Sequence, residues 1–114
     1  MNIETAKQYR HLIMEIAMLE DNINELKAKY DKPVYEEPLA DLVSLLEERK
    51  ENCQKECKAF EDWIVSIPDK RMQLMIFSHF VEGLSWYAVA VKTGGSVDGV
   101  KKAVQRYFDK EGCS

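Results

Sequence analysis

Residues 85–108 read SWYAVAVKTGGSVDGVKKAVQRYF, and this stretch decides the fold of the last third of the chain. Ser85 and Ser96 each suit the N-cap of a helix, because a serine hydroxyl accepts a hydrogen bond from an amide of the first turn. Two glycines precede the second serine, and glycine adopts positive φ angles without a steric penalty. The stretch therefore predicts two short helices, at about 86–92 and about 97–108, joined by a sharp turn.

The second of these helices has one apolar and one polar side. Its apolar residues recur at spacings of three and four, as one face of a helix requires. They are Val97, Val100, Val104 and Phe108. The outward positions are Asp98, Gly99, Lys101, Lys102, Gln105 and Arg106. With Ala90 as a small residue where the helices cross and Gly94 in the turn, the pattern predicts a helix-turn-helix whose second helix enters the major groove of DNA.

Five residues are the candidate contacts to double-stranded DNA. They are Ser96, Lys101, Lys102, Gln105 and Arg106. Lysine and arginine reach phosphate oxygens, while glutamine and arginine also read base edges. The serine stands at a helix N-terminus, where its hydroxyl and the nearby amides suit a phosphate.

A third helix completes the predicted C-terminal domain, which spans 67–114. Ile67-Pro68-Asp69 marks the boundary, a helix at about 69–81 follows, and Gly83 suits its C-terminal end. An apolar cluster on this helix is expected to form core. Its members are Met72, Leu74, Met75, Ile76, Phe77 and Phe80.

The first 66 residues predict a long antiparallel helical hairpin. Apolar residues alternate at spacings of three and four along the first helix, which is a heptad pattern. They are Tyr9, Leu12, Ile16, Leu19, Ile23, Leu26 and Tyr30, and Asn2 suits the N-cap. Pro33 and Pro38 break the helix. A second pattern follows at Leu39, Leu42, Leu46, Cys53, Phe60, Trp63 and Ile67. The predicted fold is therefore all-α, a coiled-coil-like hairpin (1–66) followed by a three-helix domain (67–114).

The heptad stripe of the hairpin has two interpretations that stay open. It is either an ordinary intramolecular core or an oligomerisation coiled coil that makes the protein a homo-oligomer. A lone hairpin leaves apolar surface in water, so a partner surface is expected, either the C-terminal domain or a second copy. An alternative function follows, in which the hairpin is a protein–protein interaction module and the helix-turn-helix is repurposed.

The C-terminal third resembles region 4 of bacterial sigma factors. The matching residues are Ile67-Pro68-Asp69, Glu82-Gly83-Leu84-Ser85-Trp86, Val89-Ala90, Gly94, Ser96-Val97, Val100-Lys101 and Arg106. The whole layout is similar to small phage and prophage proteins with such a C-terminus. The resemblance implies a sequence-specific, DNA-binding transcription regulator of phage or prophage type, with RNA polymerase as a further partner and Lys101 and Arg106 touching DNA. Four residues differ from the family pattern: Thr93, Gly95, Gly99 and Ala103.

Charge is divided unevenly along the chain. Residues 1–66 carry 9 Lys and Arg against 15 Asp and Glu, whereas residues 67–114 carry 7 against 5. The positive surplus lies in the part that is predicted to meet DNA. No apolar run approaches the roughly 18 residues of a membrane span, and the first residues lack the features of a signal peptide. These observations favour a cytoplasmic protein without a membrane partner.

Enzyme, cofactor and metal functions find little support in the sequence. Cys53, Cys57 and Cys113 would supply three zinc thiolates, but neither His11 nor His79 has a metal-site spacing, so buried apolar cysteines are expected. The segment 93–96 lacks the strand and the Lys-Ser/Thr of a phosphate loop, and no nucleophile and base can be paired. The sequence predicts neither a cofactor nor catalysis.

Overall fold

The computed structural model describes residues 1–29 and 36–112, and all of its regular structure is helical. Helix α1 spans Ile3–Lys29, α2 spans Glu36–Val65 and α3 spans Lys70–Ile76. A π-helical turn, Phe77–Val81, continues α3, and α4 (Trp86–Thr93) and α5 (Val97–Gly112) follow. No strand occurs within the described ranges, so the all-α class is confirmed. Tyr30, Pro33 and Cys113, which the sequence analysis singled out, lie outside these ranges.

Side-chain caps begin four of the helices. The Asn2 side chain accepts from the Glu4 amide at 2.7 Å before α1, and Asp69 accepts from two amides at the start of α3. Ser85 Oγ accepts from Ala88 N at 3.1 Å before α4. Ser96 Oγ accepts from the amide three residues on, at 3.0 Å, before α5. The predicted caps at Asn2, Ser85 and Ser96 are confirmed, which explains why these helices begin where they do.

The chain packs as two compact units. One, called here the C-terminal unit, contains residues 1–10 and the chain from residue 58 onward. The other, called the helix-pair unit, contains residues 11–57. The boundaries between these units therefore fall inside α1 and inside α2. The predicted division of the chain into two domains between residues 66 and 67 stays a prediction.

The helix-pair unit joins parts of α1 and α2 that run in opposite directions. Lys27 Nζ lies 3.0 Å from Glu47 Oε1, and Lys50 Nζ lies 3.6 Å from Glu20 Oε1. Three aliphatic side chains and two cysteines of this unit are at most 8% exposed: Leu12, Leu19, Ile23, Cys53 and Cys57. The heptad pattern of α1 is thus confirmed at three positions of this unit, and Ile16 and Leu26 are half-buried.

The predicted apolar seam of α2 is confirmed at Cys53, Phe60 and Ile67, which are at most 3% exposed, and Leu46 and Trp63 are half-buried. It is wrong at Leu42, which is 46% exposed, and it omitted Ile64, which is buried. The reason is that the predicted seven-residue spacing passes through Arg49 and Glu56, whose charged side chains stay in water. The buried positions instead step by four and three residues from Cys53 onward.

An aromatic cluster forms the centre of the C-terminal unit. The rings of Phe60 and Phe80 meet edge to face at 6.3 Å between centroids. Phe108 lies 5.6 Å from Phe80 and 5.0 Å from Trp63. Because these rings come from α2, the π-helical turn and α5, the cluster ties the last helix to the end of the second one.

Three residues that were expected in the core are exposed. Leu74 is 38% exposed, Phe77 is 41% exposed and Val97 is 39% exposed. On α3, Met75 and Ile76 are buried. Leu74 and Phe77, which flank them in sequence, therefore lie toward solvent. Val97 is the first residue of α5, and burial on this helix begins only at Val100.

Ser78 gives a test of the packing in the π-helical turn. It is fully buried, and its Oγ has no hydrogen-bond partner among the described residues. A buried hydroxyl without a partner costs about 1–3 kcal/mol. We therefore expect Ser78→Ala to raise the free energy of unfolding by about 1 kcal/mol, measured by chemical denaturation. A loss of stability would show that the hydroxyl makes a bond in solution.

Candidate nucleic-acid interface

Two glycines form the turn between α4 and α5. Gly94 has φ +76° and Gly95 has φ +140°, a region that L side chains rarely adopt. The Gly94 amide closes α4 by donating to the Ala90 carbonyl at 2.8 Å, and Thr93 Oγ1 donates to the Val89 carbonyl at 2.8 Å. The sharp turn predicted at this point is confirmed, and Thr93 takes part in it through its hydroxyl.

Arg71, at the start of α3, holds this turn from outside. Its Nε donates to the Thr93 carbonyl at 3.3 Å, and its Nη2 donates to the Gly94 carbonyl. The last carbonyls of a helix have no partner within it, so a guanidinium is well suited to them. A Cβ at Gly95 would lie 3.3 Å from the same Nη2, so a side chain there would crowd the guanidinium. Sequence reasoning missed Arg71, because its partners lie more than 20 residues away.

Removing the guanidinium should loosen the turn without unfolding the protein. We expect Arg71→Ala to lower the free energy of unfolding by about 1 kcal/mol, since both bonds lie at the exposed surface. Amide hydrogen exchange at Gly94 and Gly95 should quicken by more than this global change accounts for. The neighbouring exposed Lys70→Ala is the control and should change neither. Unaltered exchange in Arg71→Ala would contradict the role of this residue.

Helix α5 turns an apolar face inward. Val100 and Phe108 are 2% exposed and Val104 is fully buried. On α4, Val89 and Ala90 are buried as well. The small residue predicted at the crossing therefore lies in the core, and the inward pattern of α5 is confirmed except at Val97.

The predicted outward residues of α5 are all exposed. Lys101, Lys102 and Arg106 lie on this surface. Lys102 and Arg106 are four residues apart, which is about one helical turn or 6 Å along the axis. Acidic residues lie on either side of them, Asp98 in the first turn and Asp109 further along. The net positive charge of α5 is therefore concentrated in its middle, because Asp109 and Glu111 flank Lys110 in the last turn.

Gln105 and Ser96, the two uncharged candidates, already have partners in the free protein. Gln105 Nε2 donates to Asp109 Oδ1 at 3.1 Å, so this amide must leave that carboxylate before it can reach a base edge. Ser96 Oγ accepts from the Gly99 amide, but its own proton stays free to be donated. A Cβ at Gly99 would lie 2.8 Å from Ser96 Oγ, which explains the glycine within the first turn of α5.

The outer face of α4 carries two exposed residues that sequence reasoning did not single out. Tyr87 and Val91 are each 69% exposed and stand one helical turn apart. Tyrosine is among the side chains that donate to phosphate oxygens. Lys92, on the same helix, is paired with Glu82 at 3.2 Å. The face of α4 thus offers an aromatic hydroxyl but little free charge.

The two cysteines of α2 have surroundings unlike those of a metal site. Cys53 and Cys57 are each 3% exposed, and burial raises the pKa of the Cys53 thiol, which disfavours the thiolate that a metal needs. Over residues 1–29 and 36–112, no three His, Cys, Asp or Glu side chains are grouped so that they would hold a metal ion. The expectation that these two cysteines are buried is confirmed.

Comparisons with known proteins found no relative of this chain. No family model, no curated protein and no solved structure matches this chain. In the part of the chain that is described, no helix combines the length and the apolar character needed to span a membrane.

Proposed function

We propose that this protein is a sequence-specific DNA-binding transcription regulator and that α4, the glycine turn and α5 form its helix-turn-helix. One observation carries the proposal. Helix α5 buries Val100, Val104 and Phe108, and it presents Lys101, Lys102 and Arg106 to solvent. In a helix-turn-helix, a short helix such as α4 packs across a tight turn against a second helix such as α5, and the second helix enters the major groove.

The proposed mechanism divides the contacts between backbone and bases. Lys101 and Lys102 hold phosphates, which positions α5 and supplies most of the affinity. Arg106 reaches a phosphate or the O6 and N7 atoms of a guanine, and Gln105 reads an adenine after leaving Asp109. Ser96 donates its hydroxyl to a phosphate at the N-terminus of α5.

The positive surplus of the C-terminal third is small, so one copy should bind DNA weakly. We propose that two copies act together on two half-sites, as dimeric helix-turn-helix proteins do. The resemblance to region 4 of sigma factors supports the assignment of α5 as the recognition helix. It also makes RNA polymerase a proposed second partner and a phage or prophage a proposed origin.

A protein-interaction module is the second candidate function, and the surface of the helix-pair unit favours it. Ile13 is 43% exposed, Met14 is 64% exposed and Met18 is 63% exposed on α1, and Leu45 is 66% exposed on α2. Clustered exposed apolar side chains often mark protein contacts. In this alternative the helix-pair unit binds a protein, either a second copy or another chain, and α5 has no DNA role.

The experiment that separates the two candidates is amide chemical-shift mapping on the ¹⁵N-labelled protein during titration with a pool of short duplexes. The proposal expects shifts concentrated in α5 and in the glycine turn, and none on the outer face of residues 11–29. Shifts confined to the helix-pair unit would overturn the proposal, and the absence of shifts at low salt would overturn it and favour the second candidate.

A further inference from the structure

A polar cleft lies in the C-terminal unit, at the junction of α1, the π-helical turn and the loop before α4. Its volume is about 330 Å³, and its lining residues are Ala6, Lys7, Arg10, His79, Phe80 and Gly83. A water molecule takes up about 30 Å³ of liquid. The cleft therefore has room for a phosphate group together with part of the molecule that carries it.

The ionisable side chains that line this cleft are all basic. Arg10 lies against the end of the π-helical turn and the loop that follows it: its Nη1 donates to the Val81 carbonyl at 3.5 Å, and a Cβ at Gly83 would overlap its guanidinium. One of its five N–H donors is then used, which leaves others for a ligand. Lys7 is paired with Glu4 at 3.5 Å, and both side chains are more than half exposed. Such a pair is weak and yields readily to a dianion.

His79 also lines this cleft and is half-buried. Its Nδ1 lies 2.8 Å from the Leu84 carbonyl, and a carbonyl only accepts, so Nδ1 carries the proton. Its ring stacks on Trp86 at 3.7 Å between centroids. Nε2 is therefore the ring atom that gains a proton when the imidazole becomes charged. From the sequence alone, His79 was noted only for lacking a metal-site spacing.

We propose that this cleft is a binding site for a phosphate group, held by Arg10 and Lys7 and by the protonated His79. A guanidinium binds phosphate oxygens through two parallel hydrogen bonds, and the ammonium adds a point charge. The source of the phosphate is either the DNA backbone or a small phosphorylated molecule. The site uses none of the residues of α5, so it stands or falls independently of the proposed recognition helix.

The site should bind more tightly as the pH falls. Burial lowers the pKa of His79 below its ordinary value of 6.5, and the Leu84 carbonyl opposes this only in part. The charged groups that line the cleft beside it, Lys7 and Arg10, are also cations, while its Trp86 neighbour is uncharged. A bound dianion favours the imidazolium and raises the pKa of His79. Between the free and the bound pKa values, binding takes up a proton, so affinity increases with acidity.

The test is a titration of the full chain with inorganic phosphate, followed by NMR of the two histidine rings. Sulfate is titrated in parallel, because its charge does not change between about pH 8 and about pH 5. We expect saturable shifts of the His79 ring, a raised pKa of His79 and tighter binding of sulfate at the lower pH. His11 is exposed and lies outside the cleft, so its ring should not respond. Equal, unsaturable shifts of both rings would overturn the proposal.

Variants test whether Arg10 forms the site and identify the source of the phosphate group that binds there. Arg10→Gln should weaken phosphate binding about tenfold or more, Arg10→Lys should restore part of it, and Lys110→Gln, an equal charge change elsewhere in the unit, should leave it unchanged. If Arg10→Gln also weakens duplex binding, the natural ligand is a DNA phosphate; if duplex binding is unaltered, it is a small phosphorylated molecule. Unchanged phosphate binding in Arg10→Gln, with the fold intact, would contradict the site.

Discussion

Replacing Lys101, Lys102 and Arg106 together by alanine is expected to lower the affinity for duplex DNA on the order of 100-fold at low salt. The three side chains lie on the exposed side of α5, so their loss leaves the core untouched. Each phosphate contact contributes about −0.9 to the slope of log affinity against log salt. The slope should therefore shrink by up to about 2.7 in the triple variant, a change that unfolding would not mimic.

A charge-matched variant separates this effect from a general loss of positive charge. Lys55, Lys58 and Lys70 are also exposed and lie outside α5, and their combined change to alanine alters the net charge by the same amount. The proposal expects nearly unchanged affinity in this control. Equal losses in the two triple variants, measured by fluorescence anisotropy, would mean that binding follows net charge and not α5.

Phe108→Ala is expected to destabilise the C-terminal unit by about 3–5 kcal/mol. Phe108 is 2% exposed, and its ring contacts Trp63 of α2 and Phe80 of the π-helical turn. Truncation would leave a cavity where three elements meet. Since domains of this size are stable by only about 5–15 kcal/mol, a large fraction of the variant should unfold at moderate temperature, and DNA binding should fall with it.

Chemical denaturation followed by the fluorescence of Trp63 and Trp86 measures this change. The matched control is Tyr87→Ala, which removes an aromatic ring that is 69% exposed. A change of about 0.5 kcal/mol or less is expected there. A comparably small effect of Phe108→Ala would mean that α5 is not anchored through the aromatic cluster.

Local signals in the sequence predicted the helices around the turn well. Ser85, Ser96 and Gly94 act through groups within a few residues of themselves, so their roles can be inferred from nearby residues alone. The exposure of the basic residues of α5 could be predicted because Val100 and Val104, four residues apart, mark the buried face of the helix. Both the helix ends and the exposure of the basic residues are therefore predictable from local spacing.

Features that depend on distant parts of the chain were not predictable. The contacts of Arg71 with the turn join residues more than 20 positions apart, and the stacking of His79 on Trp86 depends on how the intervening loop folds. The prediction for α2 failed at Leu42 and missed Ile64 for a related reason, because an apolar spacing does not reveal which of two adjacent stripes on a helix the rest of the fold covers. Leu42 is exposed and Ile64 is buried, although both fit a helical period.

The most direct test of the central claim is the binding of the unmodified protein to a pool of short DNA duplexes, measured by fluorescence anisotropy from low to physiological salt. If α5 holds phosphates through its basic face, binding will be detected at low salt and will weaken linearly in a plot of log affinity against log salt. Absence of binding at the lowest salt concentration, or binding that salt does not weaken, would contradict the proposed function.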